Sequence, residues 1–166
     1  MSTYKLTLIS LIAALCVVGR LVFQFFIPNV QPVTAIIIIS GALLGVVPAI
    51  CIALITAYVT SLFLGMGIWT IWQMIAWGLI GCLAGLLGKW TARHQQLYLT
   101  IFSCFAAYLF GFILSIGTFT VGGNFLSYYV AGLPFDTWHA IGNVVFMIIL
   151  YPVITRVFRI KQWYSD

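Results

Sequence analysis

Long apolar runs alternate along this chain with short stretches of Pro, Gly and polar residues, and the runs have the length of helices rather than strands. Residues 6–27, 33–47, 49–64, 72–89, 97–117 and 138–158 each read as a membrane crossing, for which a helix needs about 20 mostly apolar residues. Between the runs stand Pro28 and Pro32, Val47-Pro48, Gly65 and Gly67, a polar stretch at 89–96, and a long stretch at 117–139 that contains Pro134. The second and third runs are short. They form either two tilted helices joined by a tight turn at Pro48 or one hairpin that crosses only part of the bilayer, and the cost of unpaired backbone groups in lipid favours the helices. The expectation is an all-α integral membrane protein, a bundle of about six transmembrane helices making one substrate-binding domain over residues 1–166.

Composition removes the soluble alternatives. Of 166 residues, 64% are hydrophobic and 5% are charged, against about 25% charged in ordinary soluble domains, and the mean hydropathy is +1.19. The first run is too long for the apolar core of a cleaved leader and lacks a clear small-residue cleavage site, so it reads as a retained helix. Lys5 precedes the first run, Lys89 and Arg93 follow the fourth, and Arg156, Arg159 and Lys161 follow the sixth. With an even number of crossings all three clusters reach one side, and the excess of Lys and Arg on cytoplasmic flanks places that side, with both termini, in the cytoplasm. The net charge of +5 then reports topology and contact with the lipid bilayer; nucleic acid would need a soluble basic face. Cys16, Cys51, Cys82 and Cys104 fall singly in apolar runs and read as buried structural thiols.

The outward connectors are rich in amides, hydroxyls and rings and nearly free of charge. Trp69, Gln73 and Trp77 recur every four residues and so share one helical stripe, with Trp72 beside them. That stripe is either part of an interfacial aromatic belt or a cavity wall that stacks on a ring and bonds its polar edge. The stretch at 117–139, with Asn124, Tyr128 and Tyr129, exceeds the roughly 2–8 residues of most helix connections, which suggests a lid or binding loop. His139 and Asn143 lie one turn apart and can hydrogen-bond into the bundle. Arg20, inside the first run, snorkels outward, pairs with Asp136 or touches substrate; Asp136 is also placed to cap the start of the sixth span. Small residues four apart, Gly41 with Gly45, Gly81 with Gly85 and Gly111 with Ser115, permit close helix packing within the bundle.

Several activities are not supported. A single outward histidine without a carboxylate or thiolate pair provides too few metal ligands, and His94 lies on the opposite side. The only acids are Asp136 and Asp166, and no Walker A, HExxH or GxSxG string is present, so neither catalysis nor self-powered transport is expected, and no cofactor. An ion-coupled carrier would show interior carboxylates and inverted repeats. What remains is a bundle with an outward pocket that borrows its energy from partners, or, in another class, a membrane assembly or lipid-binding subunit that carries no solute.

The chain resembles the substrate-binding S-components of energy-coupling factor (ECF) vitamin transporters. The resemblance covers essentially the whole chain and rests on Gly19-Arg20, on Phe26-Ile27-Pro28-Asn29-Val30-Gln31-Pro32-Val33-Thr34-Ala35, on Gly65-Met66-Gly67-Ile68-Trp69-Thr70-Ile71-Trp72-Gln73-Met74 with Ala76-Trp77-Gly78, and on Gly132-Leu133-Pro134-Phe135-Asp136 with His139-Ala140-Ile141-Gly142-Asn143. It implies a multi-pass protein of the bacterial cell membrane that captures a vitamin from outside, partnered by a membrane-embedded coupling subunit and two cytoplasmic ATPases that hold the ATP. Substrate contacts are expected from Arg20, Asn29, Gln31, Trp69, Trp72, Gln73, Trp77, Asn124, Tyr128, Tyr129, His139 and Asn143. The docking surface implied on the first helix, often an AxxxA pattern, has its nearest match in Ser10 and Ala14. The Pro-Asn-Val-Gln-Pro and Gly-x-Gly-x-Trp-Thr strings look most like the cobalamin-type group, with pantothenate or another small vitamin as the alternative substrate.

Overall fold

In the computed structural model, which describes residues 3–27, 29–90 and 94–162, the chain forms α1 (Thr3–Phe23), α2 (Val33–Leu44), α3 (Val46–Leu64), α4 (Ile68–Trp90), α5 (Gln95–Thr120) and α6 (Phe125–Gln162). All but α2 are long and apolar enough to cross a membrane. The long helices form a curved wall in which α1 touches α3, α3 touches α4, α4 touches α5 and α5 touches α6, while α2 stands inside and touches every one of them. Its residues from Val33 to Gly41 are all buried, which is why Ile36, Ile37, Ile38 and Ile39 can follow one another with no polar face.

At about 1.5 Å per residue α2 is only about 18 Å long, against a hydrocarbon layer of about 30 Å. The connector from α1 makes up the difference by descending into the bundle. Pro32 lies against Gly19, where a Cβ would come within 2.6 Å of the proline Cγ, and Val30 lies against Gly142 of α6. The first turn of α2 therefore starts below the outer ends of its neighbours, and space is left above it.

The break between α2 and α3 falls at Gly45, whose φ of 92° suits glycine, and not at Pro48. Pro48 instead occupies the first turn of α3, where a missing N–H costs no helical bond. Among the expected small residues, Gly41 and Gly81 meet each other across α2 and α4: a Cβ on Gly41 would lie 2.8 Å from the Gly81 carbonyl oxygen. Gly45 takes no part in that contact, having nothing within 4 Å of its Cβ position.

The stretch at 117–139 is not a lid loop. Helix α5 continues to Thr120 and α6 begins at Phe125, leaving 121–124 as the connector. Asn124 caps α6, its Oδ1 accepting the Ser127 N–H at 3.0 Å. Helix α6 then runs 38 residues, about 57 Å at 1.5 Å per residue, through Pro134 and Pro152. Asp136 is consequently well inside a helix, and the expected role of capping a sixth span falls away.

Lys5 at the start of α1, Lys89 at the end of α4 and Arg156 late in α6 share one end of the bundle, as the orientation requires. Arg93, Pro28 and the side chains of Arg159 and Lys161 lie outside the described residues. The cysteines are free, but only Cys16 is buried; Cys51 and Cys82 are half-buried and Cys104 is exposed, so the expectation of four buried thiols holds in full only at Cys16.

Candidate substrate cavity

A cavity of about 350 Å³ opens at the end of the bundle opposite the basic cluster, above the first turn of α2. Helix α1 contributes Arg20, the descending connector Asn29 and Gln31, α4 Gln73, α5 Phe110, Gly111, Leu114 and Ser115, and α6 Tyr128, Phe135 and Asp136. One wall is thus amide and guanidinium, another apolar and aromatic, with a carboxylate between.

Arg20 ties three helices together. Its Nη1–H donates to Thr60 Oγ1 of α3 at 2.6 Å, its Nη2–H donates to Gln73 Oε1 of α4 at 3.0 Å, and its Cζ lies 4.8 Å from the Trp77 ring centroid. Those contacts hold the guanidinium inside the bundle at the cavity wall, and neither snorkelling nor the expected pair with Asp136 describes it. With its carbonyl engaged by Arg20, Gln73 keeps its N–H donors for the cavity it lines.

The floor is a buried polar cluster. Trp77 Nε1–H donates to Thr34 Oγ1 at 3.0 Å, and His139 Nε2 lies 2.9 Å from the same oxygen. Phe110 packs against both rings, 4.9 Å from Trp77 and edge-on at 5.3 Å from His139. Asn143 Nδ2–H donates to the Ser103 carbonyl at 3.1 Å, joining α6 to α5.

Of the substrate contacts expected from sequence, the cavity collects Arg20, Asn29, Gln31, Gln73 and Tyr128. Trp77, His139 and Asn143 support it from below and are buried away from it. Trp69 is 48% exposed, its Nε1–H donates to the Gly65 carbonyl, and it does not line the cavity. Trp72 packs against the core and lies over Gly117, Tyr129 stacks on Phe125 beside Phe112, and Asn124 is spent on its cap. The supposed stripe therefore divides by depth, with Trp69 outside, Gln73 in the cavity and Trp77 beneath it. Sequence reasoning missed Phe110, Ser115, Phe135 and Asp136 as lining; the apolar ones carry no signal that separates a cavity wall from core, whereas Asp136 was visible as an acid in an apolar run.

Among the described residues no three His, Cys, Asp or Glu side chains are grouped to hold a metal. An open-mouthed cavity of mixed polarity, set in a membrane-spanning bundle, is the geometry of a membrane-embedded binding subunit. The model of the ECF-type riboflavin transporter S component family matches residues 1–155, and the chain belongs to that family. It is accordingly a non-catalytic, substrate-specific subunit of a vitamin transporter, a multi-pass membrane protein that works with ECF transmembrane and ATPase modules. No solved structure matches the chain.

Proposed function

We propose that this subunit captures riboflavin from outside the cell and delivers it inward when docked on an ATP-driven module of one coupling subunit and two ATPases. The observation that carries the reading is the cavity itself. Its volume of about 350 Å³ lies near the lower end of the roughly 300–1,000 Å³ typical of small-molecule sites. A tricyclic ring with a short polar chain is of that size, whereas a corrinoid is several times larger. The cobalamin expectation drawn from the family strings fits less well, because a ligand of that size would have to stand partly outside the cavity mouth. Pantothenate, an anion, is the second reading, because the Arg20 guanidinium lines the cavity and its partners Thr60, Gln73 and Trp77 are all uncharged.

The lining chemistry supports the same choice. Phe110, Leu114 and Phe135 offer apolar surface to a flat ring. The pyrimidine edge of a flavin presents acceptor, donor, acceptor, and the amides of Asn29, Gln31 and Gln73 offer the complementary groups. The family's own description names riboflavin. Exposed Ser10 and Ala14 on α1 are the surface we assign to docking.

Flavin fluorescence gives a direct test. Titrating riboflavin with the detergent-purified chain should quench its emission saturably with a submicromolar Kd, and neither cobalamin nor pantothenate should compete. Saturable cobalamin binding without flavin binding would reverse the assignment.

A further inference from the structure

Asp136 is the one acid among the described residues that line the cavity, and the flavin reading has not used it. It is only 6% exposed, yet it lines the cavity. Its carboxylate lies against Gly111 of α5, where a Cβ would overlap it, so the missing side chain on α5 makes the room that the carboxylate occupies. No described residue gives that carboxylate a hydrogen bond or an ion pair, since the Arg20 guanidinium is turned to Thr60, Gln73 and Trp77.

A carboxylate offers acceptors only. At 6% exposure and with no donor among the described residues it is costly to leave so, and the groups that can reach it are those that enter the cavity. The pyrimidine edge of a flavin is a poor partner, because a carboxylate set there opposes one of its oxygens to a carbonyl oxygen. Neighbouring hydroxyls on a polyol chain are a good one, each donating to one carboxylate oxygen in a charge-assisted bond.

Resting on the flavin reading above, we propose that Asp136 is a specificity-determining residue that receives two adjacent hydroxyls of the ligand's uncharged polyol chain, and that Gly111 allows its carboxylate to stand there. The cavity is divided accordingly. The amides of Asn29, Gln31 and Gln73 read the edge of the ring, and the wall between α5 and α6 reads the chain.

Two probes separate these halves: riboflavin, and lumiflavin, which has the same ring with a methyl group in place of the ribityl chain. Fluorescence titrations of the full chain should show riboflavin binding more tightly than lumiflavin. Asp136→Asn and Asp136→Ala should each weaken riboflavin by about tenfold or more while lumiflavin changes by less than about twofold. Gly111→Ala, which displaces the carboxylate without removing it, should move the preference in the same direction. Equal losses for both flavins, which a packing role would produce, or an undiminished preference for riboflavin in Asp136→Asn, would overturn the proposal. Asp136→Asn keeps the shape of the side chain and decides the matter if Asp136→Ala fails to fold. A wild-type chain that binds neither flavin takes down the flavin reading as well, a result distinct from an unchanged preference, which removes only the role of Asp136.

Discussion

Thr34 is a small side chain on which two rings depend. The Trp77 indole N–H donates to its oxygen at 3.0 Å and His139 Nε2 lies 2.9 Å from it, with all three residues buried. Valine would keep the shape and remove the oxygen, stranding an indole N–H and an imidazole nitrogen inside the bundle. Thr34→Val is expected to destabilise the fold by about 1–3 kcal/mol for each stranded group. A lower midpoint in thermal unfolding of the detergent-solubilised protein would register it. Riboflavin affinity should change far less, because Thr34 does not line the cavity; a parallel collapse of binding would mean that the floor moves with it. The same cluster shows what residue type conveys and what it withholds. That Trp77 and His139 want hydrogen-bond partners was legible in the sequence. That they find each other through Thr34, below the cavity rather than within it, depends on how deep α2 sits, and no spacing along α4 or α6 encodes that depth.

At the scale of elements, two glycines isolate backbone conformation from packing. Gly45, between α2 and α3, has φ 92° and ψ 179°, a region that L residues rarely enter, and nothing lies within 4 Å of its Cβ position. Gly78 also has open space at that position but sits inside α4. Gly45→Ala should destabilise by about 1–3 kcal/mol through backbone strain alone, whereas Gly78→Ala should be neutral or stabilise by up to about 1 kcal/mol, the helix-propensity gain. Equal midpoints for the two variants in one unfolding series would contradict this account of the α2–α3 turn. The helices themselves were largely legible because run length and hydropathy report them directly. Errors arose where proline and glycine were read as punctuation. Pro48 marks a helix start rather than the turn, and Pro134 lies within α6, where membrane helices tolerate proline because neighbouring helices and side chains re-satisfy the freed backbone groups. The real start of α6 was signalled by Asn124, an N-cap residue three positions before Ser127, and that local cue was outweighed by the surrounding glycines.

For the whole molecule, the cavity and the surface assigned to docking are separate regions, and this makes binding and transport separable by mutation. Ser10 and Ala14 lie one turn apart on α1, on the basic-end side of Arg20, and both are exposed. Ser10 Oγ–H donates to the Leu6 carbonyl at 3.0 Å, so its hydroxyl is satisfied within the helix and the face it presents is small and apolar, fit for close approach by another helix. Neither residue lines the cavity. Replacing both by leucine removes that closeness while leaving α1 a good membrane helix, so the double variant Ser10→Leu, Ala14→Leu should bind riboflavin as the wild type does and support far less uptake in cells that contain the ECF modules. Uptake of labelled riboflavin, measured beside fluorescence titration of the purified variant, reads the two properties apart. Intact uptake would move the docking surface elsewhere, and the leading place is the apolar groove of about 340 Å³ between α1 and α6, lined by Leu8, Leu11, Val153 and Val157. Loss of binding together with uptake would mean instead that α1 transmits strain to Arg20, and through it to Gln73.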